Sequence, residues 1–284
     1  MTATQLENIF KSVRQVLGAL LLLSIVGCAA KEQGDTTQSE TAKEWKLQFE
    51  DPCTGNWQQN WFLDGELATI ETSEKGMNFK AGPVNRDDAH HAVLWTQESF
   101  EGDVKIEYDF TRTDSQVVNV NILFIQATGV GDSIFHKDIT KWNDYRKVPT
   151  MSKYYDHMKT IHISYAAFPM VNEDADNDYL RVRKYPVTDQ ITFDDMEVAP
   201  AYFNTGLFLP NVTYKMTWIK TNEKLLLSVA GNGEVKEYGW DLPQGDPVTE
   251  GRIGLRHMFT RAATYRDFKV YMKNQDKPHP STHQ

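Results

Sequence analysis

The chain of 284 residues is poor in cysteine, poor in positive charge and free of long apolar runs. Cys28 and Cys53 are its only cysteines, so it cannot form a thiolate cluster of the kind that binds structural zinc. Lys and Arg number 30 against 39 Asp and Glu, which gives a formal net charge of −9. Because affinity for nucleic acid depends on clustered basic side chains, this balance argues against nucleic acid as a partner.

A short apolar run near the N terminus follows Lys11 and Arg14 and ends on Cys28. It has the length of a signal-peptide core and falls short of the ~20 residues of a membrane-spanning helix. Residues 25–28, Ile-Val-Gly-Cys, resemble the bacterial lipobox, which implies that Cys28 becomes the acylated first residue of a lipoprotein. Ala29 implies transfer to the outer membrane, with membrane contact through the lipid anchor. A plain secretory signal or a buried core helix is the alternative.

Composition divides the chain into four parts. Residues 1–27 form the predicted signal peptide, and residues 28–43 are polar and aperiodic, as expected of a lipidated flexible tether. Residues 44–274 are long enough for one large domain, and residues 275–284 have the composition of a disordered tail. With Cys28 acylated, the remaining cysteine has no partner, so an apolar core and no disulfide must stabilise the domain.

The body of the chain alternates as β-strands do. Val104, Ile106 and Tyr108 fall on one face of an extended segment, and polar residues occupy the other face. Turn residues separate the segments, and helical patterns are confined to 137–146 and 152–159. The pattern predicts an all-β, two-sheet antiparallel sandwich with a few short helices. Further strands are predicted over residues 92–96, 118–127, 160–168, 179–185, 213–221, 224–231, 252–258 and 265–273.

Several of these strands resemble known proteins. Residues 100–106 and 251–271 resemble the opening and closing strands of concanavalin-like jelly rolls. Four further motifs are ILFIQATG (122–129), HISYAAF (162–168), DYLRVRKY (178–185) and GLRHMFTR (254–261). Through them, and over roughly residues 45–272, the chain resembles the YesU-like bacterial family, which is found beside polysaccharide-degradation genes. Some relatives in marine bacteria act on ulvan, a sulfated rhamnose–uronate polymer, so the resemblance implies an oligosaccharide dehydratase of such a pathway.

Paired carboxylates would indicate a glycoside hydrolase. Retaining glycosidases of this fold use a Glu-x-Asp-x-x-Glu strand motif, with the reacting carboxyl groups about 5 Å apart. Glu107 and Asp109 begin such a motif, but Arg112 stands where the second glutamate would be. These acids are therefore expected on a solvated sheet face, and hydrolysis stays a disfavoured alternative.

β-Elimination from a uronate requires other groups: cations beside the carboxylate, a base for the C5 proton and an acid for the oxygen that leaves C4. Loss of water, as in a dehydratase, and loss of a sugar, as in a lyase, use the same set. Strand 179–185 places Tyr179, Arg181, Arg183 and Tyr185 on one face, and arginine binds carboxylate or sulfate through two parallel hydrogen bonds. An outward face of ordinary ion pairs is an equally weighted alternative.

The preceding strand supplies the predicted base. His162 shares a polar face with Ser164, so we predict His162 as base and Tyr179 as acid, although a hydrogen-bonded core histidine fits the same pattern. Two amides, one guanidinium and two aromatic rings complete the substrate-binding candidates. Large aromatic residues are more often core than sugar platforms. These further candidates are Asn119, Asn121, Arg256, Trp95 and Trp142.

No cofactor is required by this chemistry. Concanavalin-type sandwiches often hold a structural calcium ion against an aspartate of the last strand, and Asp267 has a similar place here. The sequence thus predicts a lipid-anchored carbon–oxygen lyase that acts on anionic, uronic-acid-containing oligosaccharides. A non-catalytic glycan-binding surface lipoprotein would use the same arginines and aromatics, and the fold alone does not distinguish the two.

Overall fold

The computed structural model describes residues 45–170 and 174–273, and the predictions for the signal peptide, Cys28, the tether and the tail fall outside them. Within this part of the chain, no helix is long and apolar enough to cross a membrane. The strands are β1 Trp45–Asp51, β2 Trp61–Asp64, β3 Thr69–Ser73, β4 Gly76–Lys80, β5 Ala92–Thr96, β6 Phe100–Glu101, β7 Val104–Arg112, β8 Asn119–Gly129, β9 Met158–Phe168, β10 Tyr179–Tyr185, β11 Glu197–Phe203, β12 Thr213–Lys220, β13 Lys224–Gly231, β14 Glu234–Asp241, β15 Glu250–His257 and β16 Ala262–Lys273. The short helices are Trp57–Gln59, Asp88–His90, Ile139–Arg146 and Ala175–Asn177, all 3₁₀, and the α-helix Ser152–Tyr155.

The strands form two sheets, and within each sheet the neighbouring strands pair in antiparallel orientation. Sheet A has the order β14-β13-β12-β7-β16-β4-β3, with β1 also paired to β16. Sheet B has the order β11-β10-β9-β8-β15-β5-β2, with β6 also paired to β15. The predicted all-β, two-sheet sandwich is confirmed.

The main core lies between the inner faces of the two sheets. In β7 every second residue is buried, from Val104 through Ile106 and Tyr108, because side chains of a strand alternate between its two faces. In β9 the inner face carries Ile161 and Ile163, which belong to the same cluster. Each large apolar side chain buried in this way contributes about 1.5–3 kcal/mol to folding.

A second apolar layer covers part of the outer face of sheet B. There the rings of Phe124, Trp95 and Tyr154 form a cluster of near-parallel rings, with Phe124 5.3 Å from Trp95 and 5.8 Å from Tyr154, and Trp95 6.4 Å from Tyr154. Tyr154 comes from the segment of residues 139–155, which folds back over the sheet and buries β8 on both faces. This segment bounds one side of the polar region described below.

Asp64 anchors the covering segment from beneath. Its Oδ2 accepts hydrogen bonds from Arg146 Nε at 2.5 Å, Trp95 Nε1 at 2.7 Å and the Tyr154 hydroxyl at 3.0 Å. Asn143 Nδ2 donates to the other carboxylate oxygen at 2.6 Å. Because Arg146 and Asp64 are both fully buried, each charge depends on the other for compensation.

Candidate functional site

Strand register brings three candidate residues together on the outer face of sheet B. His162 of β9 lies opposite Arg183 of β10, and Ser164 lies opposite Arg181. Directly opposed residues of an antiparallel pair point to the same face. Between them Ile163 points to the inner core, as expected from alternation. The imidazole and both guanidiniums therefore share one face of the sheet.

Arg183 carries a charge that no ion pair among the described residues compensates. Only 9% of the residue is exposed, its Nε has no hydrogen-bond partner in this part of the chain, and burial lowers its pKa. Its cross-strand neighbour Glu197 pairs with Arg181 instead, with Nε and Oε2 2.9 Å apart. Arginine is rarely buried without an anion because desolvating its charge costs free energy. This guanidinium therefore has the properties of an anion-binding group.

His162 lies beside that guanidinium as a neutral imidazole. It is 2% exposed and stacks on Tyr185, with ring centroids 5.0 Å apart and an angle of 24° between the planes. Its Nδ1 has no hydrogen-bond partner among the described residues. Burial, and then the charges of Arg183 and Arg256, hold the pKa of His162 well below its usual range. A neutral imidazole keeps a lone pair free to accept a proton.

Arg256 brings a second buried guanidinium towards the same region. It is fully buried, and its Nη2 donates to Nδ1 of His91 and, at 2.6 Å, to the carbonyl oxygen of Pro149. Burial and the charge of Arg256 lower the pKa of His91 to about 2, so the acceptor is neutral. In the described part of the chain, Nε and Nη1 of Arg256 have no partner. The charges of two guanidiniums thus act on the imidazole of His162.

Two tyrosines of β10 lie at different places relative to His162. Tyr185, which contacts the imidazole, has a buried hydroxyl without a partner among residues 45–170 and 174–273, and burial raises its pKa. Tyr179 lies under the guanidinium of Arg181, 4.8 Å from it, and burial raises its pKa as well. It is four positions from Arg183 along the strand, roughly 13 Å at the strand rise. The phenol next to the imidazole is therefore Tyr185.

An aromatic cap, formed by Tyr155 and Phe193, covers this region. The two rings meet edge to face at 5.1 Å, and Tyr155 lies 6.3 Å from the ring of Tyr185. The guanidinium of Arg183 lies 4.6 Å from the ring of Phe193, which belongs to the loop between β10 and β11. A ligand that is to contact this face of the guanidinium must displace Phe193.

The predicted amide pair does not reach the site. Asn121 lies opposite Tyr165 and His257, so it faces the inner core, and this prediction is wrong. A bulge between the pairings of Asn119 and Asn121 interrupts the two-residue alternation on which it depended. Asn119 donates instead to the carbonyl oxygen of Phe259 and to the side chain of Asn85, within the described loops.

The predicted aromatic platforms are core residues. Trp95 is fully buried and donates to Asp64, while Trp142 is 4% exposed and donates to the carbonyl oxygen of His136 at 3.0 Å. Neither ring can stack on a sugar, so both predictions are wrong. Both side chains are buried because the covering segment of residues 139–155 packs on the outer face of sheet B. No pattern of neighbouring residues in the sequence predicts that packing.

Asp267, the predicted calcium ligand, lies beside Arg266 in β16. Its Oδ2 lies 3.4 Å from Nε of Arg266, and its φ of 50° marks the bulge in β16. Among residues 45–170 and 174–273, no group of three or more His, Cys, Asp and Glu side chains could hold a metal ion. The calcium ion that the concanavalin resemblance suggested stays a prediction.

We expect the protein to lose stability below neutral pH, because three buried histidines resist protonation. Burial lowers the pKa of His91 to about 2, of His257 to about 3 and of His162 well below 6.5. In the unfolded chain each imidazole binds a proton near pH 6.5, so the unfolded state holds more protons and the free energy of unfolding falls as pH decreases. The measurement is urea unfolding at about pH 7, 6 and 5. The free energy of unfolding should fall by up to roughly 1.4 kcal/mol for each pH unit and each histidine. A constant free energy of unfolding over this range would contradict the expectation.

Comparison with known proteins confirms the resemblance to the YesU-like family. Residues 50–270 match the family described as a domain of unknown function (DUF1961). Over 186 residues the chain is 24% identical to the uncharacterized protein YesU of Bacillus subtilis (strain 168), which covers 65% of this chain and 78% of that protein.

Solved structures show the same fold at low identity. A Bacillus subtilis protein of unknown function with a galectin-like fold has 21% identity and a TM-score of 0.57, over 81% of this chain and 100% of that one. The seed lectin of Lotus tetragonolobus has 9% identity and a TM-score of 0.54, over 80% and 99%. The Ca2+/Man2-bound VIP36 exoplasmic/lumenal domain has 12% identity and a TM-score of 0.53, over 83% and 92%. By its match over most of its length, the chain belongs to the DUF1961 family.

Proposed function

We propose that this protein binds uronic-acid-containing oligosaccharides on the outer face of sheet B and eliminates water or a sugar from C4 of the uronate. The product is an unsaturated uronate end, and ulvan-derived oligosaccharides are the expected source. The observation that carries the proposal is the guanidinium of Arg183, which has no ion pair among the described residues, beside the neutral imidazole of His162. Two structures of the same fold, a seed lectin and a VIP36 domain bound to Man2, support carbohydrate as the ligand class.

The two buried arginines suit the charge that elimination creates. Removal of the C5 proton pushes negative charge into the adjacent carboxylate, and preorganised cations lower the barrier because they need no reorganisation as that charge appears. Among the described residues, Nε of Arg183 and both Nε and Nη1 of Arg256 are buried without a hydrogen-bond partner. Arg181, paired with Glu197 on the exposed side of β10, would contact a neighbouring sugar or sulfate.

Proton transfer then falls to groups that are in the required protonation states. His162 is neutral and accepts the C5 proton, while the leaving oxygen takes a proton from a tyrosine that burial keeps protonated. Tyr185 contacts His162, so it is better placed for this step than Tyr179, the acid predicted from the sequence. Tyr179, beyond Arg181, would bind the adjoining residue of the oligosaccharide.

Absorbance by the conjugated product tests the proposal. Protein mixed with saturated ulvan oligosaccharides should give growing absorbance at about 235 nm, first-order in limiting substrate. New reducing ends without an increase in absorbance would show that the protein hydrolyses the oligosaccharide and does not eliminate from it. Binding measured by calorimetry, without new reducing ends or absorbance, would show a protein that captures glycans without catalysis.

Capture without catalysis is the second candidate, and one observation favours it. The imidazole of His162 is 2% exposed beneath the aromatic cap, so the described state does not admit a sugar to it. In that case the arginines and exposed aromatics alone would hold the glycan. In either case, the lipid anchor that we propose at Cys28 would hold the site at the outer membrane, where such oligosaccharides arrive.

A further inference from the structure

We infer that the site eliminates in the syn sense and therefore selects uronates whose C5–H and C4–O bonds lie on the same face of the ring. Uronates of the gluco and manno configurations have this relation, and those of the ido and galacto configurations do not. The inference rests on the proposed elimination, and it names the substrate class that the same residues would accept.

The argument begins with the spacing of the two reacting side chains. The rings of His162 and Tyr185 are stacked with centroids 5.0 Å apart and planes at 24°. A pyranose between them would need a van der Waals contact on each side, or roughly 7–8 Å between the rings. No sugar fits there, so both side chains meet the substrate from the same side.

In the described part of the chain, the surroundings of the pair close several directions of approach. Phe124 lies 5.6 Å from the ring of His162 and 6.2 Å from that of Tyr185, and it is itself stacked beneath Tyr154. The backbone of β9 and β10 lies below the two rings. The side of the aromatic cap, formed by Tyr155 and Phe193, is therefore the side from which a sugar would meet both rings.

The reaction balances with these two groups alone. The imidazole of His162 takes the C5 proton, and the electron pair of the C5–H bond forms the C4–C5 double bond. The C4–O bond breaks, and its electron pair stays on the oxygen, which takes the proton of the Tyr185 hydroxyl and leaves as water or as a sugar. The imidazolium then returns a proton to the phenolate, which the charges of Arg183 and Arg256 stabilise in the meantime.

Configuration at C5 decides whether one side of the sugar offers both bonds. In a gluco-configured uronate, the C5–H bond and the C4–O bond are directed to the same face, so a base and an acid on one side reach both. Inversion at C5 gives the ido configuration and turns the proton to the opposite face. With the carboxylate held by Arg183, His162 then has no proton to take.

Two oligosaccharides that differ only at C5 of the non-reducing uronate test the inference on the unaltered protein. We expect the gluco-configured compound to gain absorbance at about 235 nm at least ~100-fold faster than its ido counterpart, the scale of general base catalysis. An ido rate that equals or exceeds the gluco rate would overturn the syn assignment alone. Absence of absorbance from both would overturn it together with the proposed elimination.

Tyrosine variants locate the acid independently. Tyr185→Phe should slow the gluco reaction by about 10²–10⁴-fold, since only its hydroxyl is lost. Tyr271→Phe, on the other sheet, is the matched control and should keep the original rate. The opposite result, in which Tyr155→Phe is slow and Tyr185→Phe is not, would place the acid on the cap side of the sugar and overturn the inference.

Discussion

His162→Gln is expected to reduce the rate of elimination by about 10²–10⁴-fold, because glutamine offers no base at neutral pH. Affinity for the oligosaccharide should change little, since the buried imidazole is neutral and contributes no charge to binding. Absorbance at saturating substrate gives the rate, and calorimetry with the slow variant gives the affinity. A large fall in kcat with a nearly constant dissociation constant would identify a group that acts in the transition state.

The matched control is His136→Gln, because His136 is exposed in a loop outside the site. It should retain the original rate. If His162→Gln did so as well, His162 would be a core residue and the base would have to be sought elsewhere on the outer face of sheet B.

Asp64→Ala is expected to lower the free energy of unfolding by about 3–5 kcal/mol, because it leaves Arg146 charged and unpaired in the interior. The donors on Trp95 and Tyr154 lose their acceptor at the same time. Urea unfolding, followed by tryptophan fluorescence, measures the change. We expect activity to fall with stability, since the covering segment of residues 139–155 would no longer be fixed beside the site.

Asp241→Ala supplies the comparison for this measurement. Asp241 forms an ion pair with Lys224 at 3.0 Å, but its side chain is 87% exposed. Exposed pairs contribute about 0.2–1 kcal/mol, so the loss should be correspondingly small. If both variants lost the same free energy of unfolding, burial of the Asp64–Arg146 pair would not increase its contribution to stability.

Strands with strong alternation could be predicted from the sequence almost to the residue. The structure has β5 at Ala92–Thr96 and β10 at Tyr179–Tyr185, the ranges expected from their patterns. Edge strands could not be found in this way. Thr69–Ser73, for example, is largely exposed, and it extends by pairing with β4 and not through a buried apolar face of its own.

The site was predictable only where one strand, or two neighbours in sequence, determine it. The shared face of Arg181 and Arg183 follows from a period of two, and the pairing with His162 follows from a β9–β10 hairpin. The hydrogen bond between Arg256 and His91, by contrast, joins residues 165 positions apart. Such contacts depend on strand order within the sheet, which local patterns do not encode.

The ring of Phe193 on the guanidinium of Arg183 has a kinetic consequence. Capture of an oligosaccharide must draw on the fraction of molecules in which that ring has swung away, so the apparent dissociation constant exceeds the intrinsic one by the reciprocal of this fraction. The observed association rate would level off at high ligand concentration, at the frequency with which the loop opens. The same movement would reverse after turnover, and release of product could then limit the cycle.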